Sequence, residues 1–280
     1  MSIPQILIEQ GAAHVCEAAE AIHIRRQAEQ CAQIYPTHQV LIREASKGGV
    51  AIRTLPDFQG KLNRVVGCGK HGLLQESDLH ELKSIYADVG LTPEIHLSPF
   101  APASTLRTLA DGGYVEKGVL STYWCDIKEW ANRPAQQSPV SVAIRQVEPH
   151  ETELFIDSSV AGFQDKPRAP EVLRFLAELA IRREDLLYFA LVDGEIAGTA
   201  VMARINAQNT HVAHFYLDST IPAYRGRGVH LALIQARLRA AHRLGLSLAT
   251  AITSVGDGSA RNAERAGLRI AYNIPVLALL

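Results

Sequence analysis

Residues 221–243 read IPAYRGRGVHLALIQARLRAAHR, a polar glycine and arginine turn that runs straight into an amphipathic helix. Leu231, Ile234, Leu238 and Ala241 recur at spacings of three and four, so one stripe of that helix faces a core. The stretch before the turn, HVAHFYLD at 211–218, reads as a strand, which makes the local unit strand, loop, helix. A helix start leaves about four backbone N–H groups without partners and carries roughly half a positive charge. Gly226 and Gly228 clear side chains from those amides, while Arg225 and Arg227 add full charges beside them. The expected ligand of such a loop is a phosphate.

Two common phosphate loops do not fit. A dinucleotide fingerprint needs a third glycine where Leu231 stands, and a Walker-type loop needs Lys followed by Ser or Thr. Taken alone, Arg-Gly-Arg-Gly opens an exposed helix as readily as it holds an anion, so the rest of the chain has to decide.

At 280 residues the chain can bury the core of one large or two ordinary domains. Its 47% apolar and 20% charged residues are an ordinary globular composition, and a net charge of −1 argues against a dedicated nucleic-acid or membrane-surface protein. MSIPQILIEQ lacks the basic and apolar regions of a signal peptide, and no stretch reaches the roughly 18 apolar residues of a membrane span. Cys16, Cys31, Cys68 and Cys125 form no C-x-x-C pair and read as reduced thiols, so the expected compartment is the cytoplasm.

Along the chain, residues 11–33 predict a helix ended by Pro36, and 49–54 and 62–68 predict two strands joined by a turn around Pro56, Asp57 and Gly60. A helix follows at 73–89, with Gln75 or Ser77 near its start. Next come a strand at 92–97, a short helix at 103–111 closed by Gly112-Gly113, and a long strand at 114–127. Residues 128–139, polar and holding two prolines, read as a linker. The second half restarts with a strand at 140–147 and helices at 151–163 and 170–182, with Asp165, Pro167 and Pro170 marking the loop between them. Strands at 186–192 and 195–204 form a hairpin through Asp193-Gly194, a dipeptide that supplies the positive φ angles of a tight turn. After the strand at 211–218 and the loop helix, a strand at 247–252, a helix at 259–266 and a strand at 268–277 complete the chain. The fold class is α+β (mixed α/β), with an N-terminal α/β domain at 1–127, a linker at 128–139 and a second domain at 140–280.

The order strand, two helices, three strands, helix, strand, helix, strand over 140–280 resembles the GNAT N-acetyltransferase superfamily. Arg225 and Gly228 match its pyrophosphate loop, Gln/Arg-x-x-Gly-x-Gly/Ala, with His230 where the family has Gly or Ala. The hairpin VDGEIAGTAVM is similar to the family's second and third strands. GDGSARNAERAGL at 256–268 resembles its other recurring block, with Ser259, Glu264, Arg265 and Gly267 in matching places and Gly256 in place of the leading Asn. SPFAPASTLRTLADGGYVEKGVLSTYWCDI at 98–127 repeats the rhythm of 249–280, so the N-terminal half reads as a degenerate GNAT-like copy.

The resemblance implies acetyl-CoA as co-substrate and no metal. Its pyrophosphate would lie on Arg225, Gly226, Arg227, Gly228, Val229 and His230, its pantetheine along Leu217, Ser219 and Thr220, with Ser259 and Asn262 as further contacts. Many members place a Tyr four residues before the closing Gly, where this chain has Ala263; Tyr272 is the nearest replacement as general acid. For the base, strand alternation puts His214 on one face with Tyr216 and Asp218, and His214 is the candidate. Tyr272 and His214 each have a competing reading as a packed core residue.

His211 and His214, three apart on a strand, point to opposite faces and do not make a metal pair. The expected function is acetyl-CoA-dependent N-acetyl transfer by direct attack of an amine acceptor, a small molecule or a peptide. The alternative is a catalytically silent acyl-CoA-binding or interaction protein, which Ala263 and His230 favour. An RNA-binding reading of RGRG fails on the near-neutral charge and the lack of interleaved aromatics. Acceptor identity and oligomeric state are not encoded in any of these motifs.

Overall fold

The computed structural model describes residues 3–58, 61–134, 142–165, 170–183 and 185–279. Gly60 of the first turn, 135–139 of the linker, the start of the following strand at 140–141 and Pro167 lie outside them. The described chain forms two compact units that are not contiguous halves: one holds 1–122, 253–255 and 270–280, the other 123–252 and 256–269. The sequence placed the break at 128–139 instead.

In the N-terminal unit, helix α1 (Gln10–Ile34) is followed by strands β1 (Leu41–Glu44), β2 (Val50–Arg53) and β3 (Arg64–Cys68). Helix α2 (Glu76–Ala87) leads to β4 (Glu94–Leu97), and α3 (Thr105–Asp111) leads to β5 (Tyr114–Asp126). The strand order is β1-β2-β3-β4-β11-β5, where β11 (Arg269–Leu279) is the last strand of the chain. β1 to β3 pair antiparallel, β4 runs parallel to β3, and β11 is antiparallel to β4. A parallel pair needs a crossover, and α2 supplies it. Leu79, Leu82 and Tyr86 of α2 pack on Val65, Ile95 and Leu97, while Ile24 and Ala28 of α1 cover Val50, Ile52 and Val66.

The C-terminal unit holds α4 (Ile127–Ala131), β6 (Val142–Gln146), α5 (Thr152–Ala161), α6 (Pro170–Arg182), β7 (Leu186–Val192), β8 (Glu195–Ala207), β9 (Thr210–Thr220), α7 (Val229–Arg243), β10 (Leu248–Ser254) and α8 (Gly258–Arg265). β6 to β9 form an antiparallel meander and β10 runs parallel to β9, giving the order β10-β9-β8-β7-β6. Two tight turns drive the meander: Asp193 and Gly194 at φ 55° and 86°, and Gln208 and Asn209 at φ 50° and 61°. Positive φ at both central residues matches the twist of the flanking strands, which is why Asp, Asn and Gly recur there. Phe155 and Ile156 of α5 and Ala177 and Ala180 of α6 bury Phe189 and Val201 on one sheet face. Strand alternation sends the neighbouring side chains to the other face, where α7 lies.

Helix α4 falls inside the stretch expected to be a linker. Asp126 caps it by accepting from the Glu129 amide at 2.7 Å. Trp130 Nε1 donates to Ala266 O at 2.9 Å and Arg133 Nη1 to Gly267 O at 3.1 Å, satisfying carbonyls at the end of α8. Gly267 adopts φ 99°, and a Cβ there would press on both side chains, so the closing glycine of that block is required twice over. All four cysteines are free and buried. Among the described residues, no helix is long and apolar enough to cross a membrane.

Candidate active site

β9 and β10 pair in register only from Leu248↔Val212 to Ala251↔Phe215, although both strands continue further. Beyond Phe215 the two strands part, and a gap opens at the end of β9. There β9 is also bulged. Val201 faces Tyr216 but Thr199 faces Ser219, so β9 carries one extra residue, and Leu217 absorbs it at φ 53°.

The bulge resets the side-chain alternation. His214 and Tyr216 stay on the face of α5 and α6, while Asp218 moves to the face of α7. The expected shared face of His214, Tyr216 and Asp218 therefore does not exist, because alternation holds only across an unbroken ladder. Asp218 instead receives Arg237 of α7 through two bonds of 2.7 and 2.6 Å. The Arg237 side chain is fully buried, donates also to Val201 O at 2.9 Å and Leu233 O at 3.2 Å, and lies 4.5 Å over the Phe215 ring. Burial alone would raise the Asp218 carboxyl, but Arg237 and then His230 outweigh it and hold it below the usual carboxylate range.

The 222–224 stretch forms a single 3₁₀ turn that delivers the chain to the loop. Gly226 and Gly228 take φ 78° and 82°, left-handed values that favour glycine, and Gly228 is the N-cap of α7. A Cβ on Gly226 would meet nothing within 4 Å. Among the described residues, the backbone N–H groups of 226–231 meet no acceptor, so the start of α7 presents a row of open donors, those of Val229 and His230 included.

The loop arginines are differently engaged. Arg225 clasps Asp165, with Nη2 to Oδ1 at 2.7 Å, and donates to Gly162 O and Thr220 O. Arg227 bonds Asp193 at 2.9 Å and sits over the Tyr224 ring. Both pairs are exposed, and surface pairs of this kind hold by about 1 kcal/mol or less, so an incoming anion can draw either guanidinium away.

His230 stands in the first turn of α7 with its side chain 16% exposed. Its Nε2 lies 2.9 Å from Asp218 and its Nδ1 lies 3.2 Å from the Asn262 amide nitrogen of α8. An amide nitrogen only donates, so Nδ1 accepts and the ring proton sits on Nε2, facing the carboxylate. The sequence marked His230 as a departure from the loop pattern; its partnership with Asp218 and Asn262 depends on the bulge and on α8, which no local spacing encodes.

The remaining candidates are distributed as follows. Ser219 turns toward α5, bonding Thr199 at 2.8 Å where Gly162 leaves room for it. The Ser259 amide is taken by Asp257, which is the N-cap of α8. His214 is 3% exposed and bonds Thr250 at 2.9 Å; burial first, then Arg183 and Arg237, push its pKa down to about 3. A sealed imidazole held in this way fits the competing reading of His214 as a packed core residue. Tyr272 belongs to the N-terminal unit, is 1% exposed and lies near Cys16, Glu17 and Glu20, and burial holds its hydroxyl far above the ordinary value. Its burial likewise fits the competing reading as a packed core residue.

Residues 148–267 match the family model for the acetyltransferase (GNAT) family. Among solved structures, the chain is similar to a GCN5-related N-acetyltransferase from Kribbella flavida at 15% identity, covering 92% of this chain and 95% of that one with a TM-score of 0.61. It is also similar to an acetyltransferase from the GNAT family of Colwellia psychrerythraea (12% identity, 88% and 87% coverage, TM-score 0.55) and to a GCN5-related N-acetyltransferase from Sphaerobacter thermophilus (16%, 99% and 94%, 0.53). At such identities the likeness is one of fold. No curated protein sequence matches the chain.

Proposed function

We propose that this chain is an acetyl-CoA-dependent N-acetyltransferase acting in the cytoplasm on an amine acceptor, a small molecule or a peptide. The observation that carries this reading is the row of open amides at 226–231 beside the unpaired end of β9. Those amides and the positive end of α7 would hold the pyrophosphate, with Arg225 and Arg227 closing over it. The backbone at Leu217, Ser219 and Thr220 would pair with the pantetheine amides, and Asn262 would flank them. Bound there, acetyl-CoA supplies a thioester carbonyl that an amine nitrogen can attack, with the thiolate leaving.

His230 takes the proton in this scheme. Asp218 orients the ring through Nε2, and Nδ1 can exchange its long bond to Asn262 for the acceptor amine. As the amide bond forms, the proton released by the amine passes to the imidazole and the thiolate is protonated from solvent.

Thiol release on mixing acetyl-CoA with a panel of amines tests the reading, together with Gly228→Asp, which sets a negative side chain among the open amides. That variant should fold and lose coenzyme binding. Wild-type affinity in it would remove the assignment. A second reading, coenzyme binding without transfer, is favoured by the buried Ala263 where many relatives present a tyrosine. It prevails if the coenzyme binds and no amine accelerates thiol release.

A further inference from the structure

Both cations of the loop before α7 are already engaged by acids of the chain. Arg225 gives Nη2 to Asp165 Oδ1 at 2.7 Å and Nη1 to Asp165 Oδ2, and Nη2 also reaches the Gly162 carbonyl at 3.2 Å. Gly162 is the C-cap of α5 and Asp165 follows it, so one guanidinium ties that helix end to the loop. A cation there also complements the negative end of the helix. Arg227 gives Nη2 to Asp193 Oδ2 at 2.9 Å, and Asp193 sits in the turn between β7 and β8. Two separate turns thus each send a carboxylate to one loop arginine.

A guanidinium holds a carboxylate and a phosphate in the same way, by paired N–H···O bonds. A phosphate arriving on the open amides of 226–231 must therefore win each arginine from an aspartate. The exchange reaches further at Arg225. A Cβ on Gly162 would press on the Ser219 side chain and the Thr220 amide, so the end of α5 rests on the end of β9. Arg225 also donates to Thr220 O at 3.4 Å. Moving this one guanidinium onto a ligand loosens the end of α5 from both the loop and β9.

We propose that Asp165 and Asp193 are internal competitors of the coenzyme diphosphate: each holds a loop arginine in the unloaded chain, the phosphates displace them, and the displacement unties the end of α5. This rests on the coenzyme reading of the loop. Exposed pairs of this kind correspond to about 1.5- to fivefold in an equilibrium constant, which sets the size of the competition.

Calorimetric titration of the full chain with coenzyme A tests it. Asp165→Asn and Asp193→Asn should each tighten binding by about 1.5- to fivefold at low salt, and the double variant by about the product of the two. Asn tolerates the positive φ that position 193 requires. The gain should shrink in about 0.5 M salt, where exposed pairs are screened. Glu195→Gln removes the same charge beside the same turn, at a side chain that bonds neither arginine among the described residues, and should change affinity less than either. Hydrogen exchange at the amides of 162–164 should rise when the wild type is loaded and be raised already in unloaded Asp165→Asn. Unchanged or weaker binding in both Asn variants, an equal gain in Glu195→Gln, or no rise in exchange on loading overturns the competition while the coenzyme site stands. Absence of coenzyme binding in the wild type and in every variant removes the coenzyme reading and the competition with it.

Discussion

Replacing Arg237 by Met removes the buried cation beneath the glycine loop and leaves the shape of the side chain largely filled. Four hydrogen bonds disappear, two to Asp218 and one each to Val201 O and Leu233 O. Asp218 keeps only His230 among its bonded partners there, in a carboxylate that burial already penalises. Breaking one side of a buried pair costs about 3–5 kcal/mol, a large part of the roughly 5–15 kcal/mol that holds a domain together.

The pH dependence fixes the sign. In the wild type the folded Asp218 carboxyl lies below its unfolded value of about 3.9, so its contribution is complete above that value and is lost as pH falls through the folded one. Without Arg237 the burial penalty dominates, the folded carboxyl rises above about 3.9, and acid then relieves the variant instead of harming it. Both tryptophans, Trp124 and Trp130, lie in the C-terminal unit, so urea unfolding followed by tryptophan fluorescence reports on this unit. A loss below about 1 kcal/mol at pH 7, or an acid limb parallel to that of the wild type, would refute the account of this pair.

Three other substitutions bear on the site. His214→Gln should leave the pH profile of kcat/KM unchanged. Because the folded imidazole titrates near 3, it should also flatten the fall in stability between about pH 6.5 and 3, where only the unfolded state binds a proton; a displaced kinetic profile would return His214 to the chemistry. Tyr272→Phe, at a 1% exposed position, should change stability by about 1 kcal/mol or less and leave turnover intact in steady-state assays. Gly162→Ala would drive a methyl onto Ser219 and the Thr220 amide, costing about 1–3 kcal/mol in denaturant melts and weakening coenzyme binding, and Ser219→Gly should restore both.

The sequence is legible where local chemistry decides. The Asp193-Gly194 turn, the glycines of the loop and the apolar stripe of α7 depend only on neighbours in the chain, and each forms as expected. β1 escaped notice because LIRE is a charged, half-exposed edge strand, the composition that blunts an edge against pairing. Gln208-Asn209 escaped because neither residue is glycine, although Asn tolerates the left-handed region. The bulge at Leu217 is invisible, since the aromatics Phe215 and Tyr216 before it read as ordinary strand and no glycine or proline marks the extra residue. α4 was read as linker because its two anchors, Trp130 and Arg133, bond carbonyls more than 130 residues away.

The two units share one plan and differ at the point that matters for an anion. In each, an antiparallel series of strands ends in a bulged strand, a crossover helix follows, and the next strand runs parallel: β3, α2, β4 in one and β9, α7, β10 in the other. Gly67 and Leu217 hold the positive φ at the respective irregularities. The segment before α2 is also rich in glycine, GCGKHG at 67–72, and invites the same reading as the loop before α7. At α2, however, Asp78 accepts the Gln75 amide at 2.7 Å and the Ser46 hydroxyl, so a carboxylate of the chain itself occupies the place an incoming phosphate would take. At α7 the N-cap is a bare glycine and no acid lies in the first turn. Capping stabilises a helix by using the donors that an anion site must leave open, so the self-capped helix can only support the fold. The glycine-capped one forgoes only about a few tenths of a kcal/mol of capping and leaves its donors open.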